Sequence, residues 1–326
     1  MNKTFIITLG IIIIATAGLA ENLRICKATK LDENCDWESV CFKLLKQENK
    51  ERDFLLNGGS LIQEQTEYNK LASEQTEFVA GQNGHNLYIA VRCYDSRGGN
   101  LTARCVDMDG AVWEDDSIEI FIAPQYKGRD YYQFIVNPLG TKYDGHGTDR
   151  SWGCGWETKV VRENNAWVIL CMIPLRTVGI RSDGNTMVGF NVCRSRYANG
   201  LKESSSWSYS SGSFHNADEF GAMIIGDPNL SLHNLIKLCR ERRGQMVFKS
   251  DEKQDKQSPF VRKMAAQMKL LMNEIDAKLA SAEQPETNFE ELKVLCSQIN
   301  SLLNEYETQW RDYQNQTNTI KATMWL

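Results

Sequence analysis

Trp113-Glu114-Asp115-Asp116-Ser117-Ile118-Glu119-Ile120-Phe121 is the stretch whose reading decides the fold. From Ser117 to Ala123, Ile118, Ile120 and Ile122 alternate with Glu119 and Phe121, which is the period of a strand with one face on a core. Working outward, Leu87, Ile89, Val91 and Cys93 alternate in the same way. Tyr131 to Val136 is a third strand, stopped by the turn residues Asn137-Pro138-Leu139-Gly140. Trp167 to Ile173, Val188 to Arg194 and Phe220 to Ile225 complete the series. Many short strands with no long helical period between them argue for a sandwich or barrel and against an α/β fold.

The pattern changes after about Asp227. Phe260, Met264, Met268, Leu271, Ile275 and Leu279 recur at helical spacing, and a second such series runs from Phe289 to Tyr313 beyond a break at Pro285. Residues 259–326 are therefore expected to form an α-helical hairpin, with polar residues 227–258 as a linker. The apolar stripes either pack within the chain or join copies of it as a coiled-coil homo-oligomer.

At the other end, Lys3, the apolar run Phe5 to Ile14 and the small residues up to Ala20 form the pattern of a signal peptide over residues 1–20. The expectation is a secreted, periplasmic or cell-surface protein. With 42 Asp and Glu against 37 Lys and Arg, the chain has no basic footprint for nucleic acid. All ten cysteines lie beyond the leader, and an even count in an oxidising compartment suggests disulfides. No C-x-x-C occurs, nor a histidine at zinc-site spacing. Asn100, Asn229 and Asn315 head glycosylation sequons.

The Trp113–Phe121 stretch, with Asn86 to Val91 before it and Tyr132-Gln133-Phe134 to Asn137-Pro138-Leu139-Gly140 after it, resembles the family 9 carbohydrate-binding modules. Gly189-Phe190-Asn191, Ser205-Ser206-Trp207-Ser208 and Phe220-Gly221 follow in matching order, so the resemblance covers about residues 35–226. It implies a mainly β protein: an antiparallel, jelly-roll-like β-sandwich over 21–226, with the helical hairpin behind it. It also implies a non-catalytic function, the binding of a glycan or oligosaccharide, with a place in polysaccharide catabolism. A glycoside hydrolase or an envelope protein would be its partner.

A sugar site needs an aromatic face to stack on a pyranose ring and a few fixed polar groups to read hydroxyls. By position in the resemblance, Trp113 is the first aromatic and Glu119 the hydrogen-bonding acid, pointing away from the isoleucines. Trp207 is the candidate second aromatic, with Trp152 and Trp156 as rivals, and Gln133 and Asn137 are further polar contributors. Each tryptophan also has a packing explanation, and Glu119 an ion-pair explanation with Arg194 or Arg92. Relatives carry structural calcium, for which Asp95, Asp115 and Asp116 are oxygen donors of the right type, although without EF-hand spacing.

Adjacent carboxylates such as Asp115 and Asp116 point to opposite faces of an extended segment, a poor acid–nucleophile pair for a glycoside hydrolase. No nucleophile elbow, H-E-x-x-H or P-loop is present. Two other classes stay open. One is a heme-binding relative of the fold, using Met108, Met172 or Met187 with His146 or His215. The other is an envelope scaffold in which the sandwich is purely structural.

Overall fold

A computed structural model describes residues 23–323 apart from 34–35, 48–49, 58–69, 99, 182–184, 199–200, 247–258 and 285–286. The leader expected over 1–20 lies outside the described residues, as does Cys35. Twelve strands build the body: β1 (Ile25–Lys30), β2 (Leu55–Leu56), β3 (Thr76–Gln82), β4 (Asn86–Tyr94), β5 (Ser117–Ala123), β6 (Tyr132–Val136), β7 (Lys142–His146), β8 (Glu157–Arg162), β9 (Ala166–Pro174), β10 (Thr186–Ala198), β11 (Leu201–Ser206) and β12 (Gly221–Ile225). One sheet runs β7-β6-β5-β10-β12, with β11 and β2 branching from β10, and the other runs β3-β4-β9-β8.

β1 joins the two. Its first half pairs with β12 and its second half with β3, parallel in both cases, while every other ladder is antiparallel. The expected antiparallel sandwich is thus present with one parallel seam. Ile118, Ile120, Ile122, Phe134, Val188 and Val192 face Ile89, Val91, Trp167 and Ile169 across the interior, all buried. The period of two sends the intervening residues of β5 and β10, Glu119, Phe121, Cys193 and Ser195, to the outer face. Helix α1 (Trp37–Leu45) covers the outer face of the second sheet through Cys41, Leu44 and Leu45.

The stretch expected as a linker is in large part a helix. Asp227-Pro228 opens α2 (Pro228–Gln245), with proline at the first helical position, where its missing N–H costs nothing. Leu232, Leu235, Ile236 and Cys239, at helical spacing, are buried. Helices α3 (Pro259–Ala282) and α4 (Phe289–Thr323) form the hairpin. Asn288 caps α4: its Oδ1 accepts from the N–H groups of Glu290 and Glu291 at 3.0 and 3.1 Å. The stripes Met268, Leu271, Ile275, Leu279 and Leu292, Cys296, Ile299, Leu303 pack on each other, on α2, and on Ile25, Ala222 and Ile224 of the seam. Both stripes are thus buried within the chain. Among the described residues no helix is long and apolar enough to cross a membrane.

The disulfide expectation is corrected. Among the described residues no disulfide joins any of the nine cysteines. Cys26, Cys93 and Cys171 pack in the sandwich interior, Cys41 under α1, Cys193 on the outer face, and Cys239 with Cys296 among the helices. They fill apolar space, and burial pushes the thiols of Cys93 and Cys171 up to about 12. The methionines named for a heme are also dispersed: Met172 lies by α1 and Met187 by the helical layer, and Met108 is exposed.

Candidate functional site

The outer face of the first sheet has two tenants. The helices cover its β12 end, and at the β7–β11 end lies a pocket of about 540 Å³. Glu119 of β5 and Gln133 of β6 form its floor, and Trp113, Tyr131, Tyr143, Phe214 and His215 stand around it. Arg150, Lys202 and Asn57 complete the rim. Three of the five residues expected to bind ligand, Trp113, Glu119 and Gln133, therefore line one pocket.

The floor follows from strand alternation. Gln133 Nε2 donates to Glu119 Oε2 at 2.7 Å. Burial pushes the Glu119 carboxyl up to about 7, against the Gln133 hydrogen bond and the Lys202 charge. Opposite Gln133 on β7 stands Gly145, where a Cβ would come within 2.8 Å of the Tyr143 hydroxyl. A side chain there would collide with the wall.

The walls are aromatic. Trp113, on a short 3-10 turn (Val112–Glu114), is half-buried, with Tyr143 edge-on at 5.5 Å. The Arg150 guanidinium lies over its ring, 5.1 Å from the centroid. In a second aromatic group the Tyr131 hydroxyl and His215 Nδ1 are hydrogen-bonded at 2.9 Å, and His215 stands edge-on to Phe121. Partial desolvation and then the Arg150 charge lower the His215 pKa. Asn57 is 6% exposed; its Oδ1 accepts from Ser206, while its Nδ2 has no hydrogen-bond partner among the described residues.

Four expectations are corrected. Trp207 is fully buried, edge-on to Phe78 at 5.3 Å, and its Nε1 donates to Glu51. It is core and offers no face to a sugar. The rivals fare no better: Trp156 is buried with its Nε1 on Asp144, and Trp152 packs on Tyr132. Phe214 and His215 supply the second aromatic side instead. Asn137 is also spent on structure: Nδ2 donates to the Cys105 carbonyl and Asp115, and Oδ1 accepts from the N–H groups of Leu139 and Thr141.

The carboxylates assigned to calcium are likewise engaged by donors. Asp95 accepts from Arg97, Arg194 and Arg196. Burial pushes its carboxyl up, but Arg97 and Arg196 outweigh burial and hold it well below the usual range. Asp115 accepts from the N–H groups of Arg104 and Cys105, and Asp116 from Thr102, Tyr197 and Arg97. Among the described residues no group of three or more potential ligands could hold a metal ion. Glu119 makes no ion pair with Arg194 or Arg92, which bind Asp95 and Glu77.

The sequence reading missed Tyr131, Tyr143, Arg150, Lys202, Asn57 and the Phe214-His215 pair. Phe214 did leave a signal, as a large apolar residue directly after the polar run Ser210-Ser211-Gly212-Ser213.

Comparison with known proteins gives a consistent picture. The family model described as carbohydrate family 9 binding domain-like matches residues 60–227, just over half of the chain. A crystal structure from Bacteroides uniformis, of a protein described as carbohydrate-binding, shares the fold with a TM-score of 0.50 at 16% identity, covering 63% of this chain and all of that one. A family 9 carbohydrate-binding module from Caldicellulosiruptor kristjanssonii, solved with glucose, aligns with a TM-score of 0.44 at 13% identity over 62% of this chain and 96% of that one. No curated protein matches the sequence.

Proposed function

Because the chain belongs to the carbohydrate family 9 binding domain-like family, we propose that it binds a sugar in the Trp113–Glu119–Gln133 pocket and does not cleave it. The observation that carries this reading is the pocket's make-up: two aromatic groups, Trp113 with Tyr143 and Tyr131 with His215, beside a hydrogen-bonding floor. Apolar ring faces match the C–H face of a pyranose, and Glu119 and Gln133 offer both donors and acceptors to hydroxyls. The pyranose takes the place of Arg150 on the Trp113 ring and turns the guanidinium toward the pocket rim. Among the described lining residues Glu119 is the only carboxyl, whereas glycoside hydrolysis uses a flanking pair. That speaks for holding over cutting.

The test is calorimetric titration with glucose, xylose, cellobiose and xylobiose, repeated on Trp113→Ala. Saturable binding that disappears in a variant of unchanged thermal stability supports the reading. Binding that survives the loss of Trp113 removes it. The leader pattern extends the proposal to an exported protein, which cell fractionation checks: a chain found intact in the cytoplasm ends that part.

A further inference from the structure

The pocket carries more positive charge than a neutral sugar needs. Its ionisable lining residues, the two tyrosines aside, are Glu119, Arg150, Lys202 and His215. Four less exposed arginines elsewhere on the sandwich are matched: Arg92 by Glu77 and Glu163, Arg97 by Asp95 and Asp116, and Arg194 and Arg196 by Asp95. Arg150 and Lys202 have no ion-pair partner among the described residues. Each instead lies over an aromatic ring, Arg150 on Trp113 and Lys202 on Tyr197 at 5.5 Å. A guanidinium with no carboxylate partner keeps its N–H donors for an oxyanion, and Arg150 still has them when the sugar moves it from Trp113 to the rim.

The opposing charge is weak. Glu119 lies on the floor, bonded to Gln133, and burial keeps its carboxyl largely protonated below about pH 7. Lowering of the His215 pKa keeps that ring neutral near pH 7, so the permanent charges in the pocket are the two cations.

From this arrangement we infer that the bound sugar unit carries an anionic group, a carboxylate or a sulfate ester, received by Arg150 and Lys202. The inference rests on the sugar-binding reading and narrows its ligand class.

The full chain is titrated with matched pairs: glucose and glucuronate, galactose and galacturonate, and glucose 6-sulfate as the second anionic form. The measurements are made at about 20 mM and about 300 mM salt, on the natural protein and on Arg150→Gln/Lys202→Gln. An oxyanion about 4 Å from a cation near a protein surface is worth a tenfold or greater preference. The expected result is an anionic sugar held about tenfold more tightly than its neutral partner at low salt. That ratio should shrink at high salt and fall to within about threefold in the double variant. Tighter binding of uronate or of sulfate then identifies the anion. A ratio near one at both salt concentrations, or one that the double variant leaves unchanged, overturns the charge inference while sugar binding itself stands. Binding of no sugar at all overturns both.

Discussion

Replacing Glu119 with Gln keeps the shape of the side chain, and its acceptor for Gln133, while removing the proton it exchanges. In the unfolded chain its carboxyl has the ordinary value of 4.5, and in the folded pocket burial raises it to about 7. At 1.36 kcal/mol per tenfold, that gap amounts to roughly 3 kcal/mol. A raised carboxyl stabilises the fold only while it stays protonated. The contribution is fully present below about pH 4.5, is lost as the pH climbs toward 7, and is gone above it. Thermal unfolding of the two proteins from pH 4.5 to 8 reads this as a difference, so that other titrating groups cancel. Relative to the natural protein, Glu119→Gln should gain roughly 3 kcal/mol between the two ends, about 6–12 °C in Tm for a domain of this size. A difference that stays flat across the range would mean that Glu119 titrates as an exposed acid. The pocket would then lack the desolvated floor argued above.

The other predictions concern the fold. Trp207→Ala removes a fully buried ring from the Phe78–Phe190 cluster and should cost about 3–5 kcal/mol in denaturant unfolding. An effect below about 1 kcal/mol would return Trp207 to the surface. Asp95→Ala strips the shared partner from Arg97, Arg194 and Arg196 and should cost about 3–5 kcal/mol. Because Asp95, Asp115 and Asp116 are occupied by protein donors, EDTA should leave Tm unchanged, and a fall on chelation would restore the calcium assignment. Thiol labelling of the native protein should reach the partly buried Cys105 and Cys154 well before the buried seven.

What was legible in the sequence followed the reach of the rule applied. A period of two along Ser117–Ala123 is local, and it sent Glu119 to the outer face, where it lines the pocket. Trp113 was placed by a motif contiguous with that strand. Trp207 sits among serines, a context that reads as exposed, and only the pairing of β10 with β11 and the space left by Gly221 put it inside. A Cβ at residue 221 would come within 2.6 Å of its ring. Asp115 and Asp116 take different donors, and these lie in segments brought near by folding. Helix α2 was readable from Leu232, Leu235, Ile236 and Cys239, yet the polar residues between them suggested a linker. Arg150 and Phe214 come from separate loops, and nothing local unites them.

The seam strand also sets the order of assembly. β1 leaves the ribosome first, yet its ladder with β12 joins Ile25 to Ala222, at opposite ends of the sandwich sequence. Until residue 225 has been synthesised, β1 can reach only one of its two neighbours. Contacts of such long sequence separation form slowly, because a large loop must close before they repay it. The seam therefore closes late in synthesis, and a chain cut short inside β12 would have the apolar interior of the sandwich but not the ladder that hydrogen-bonds one sheet to the other.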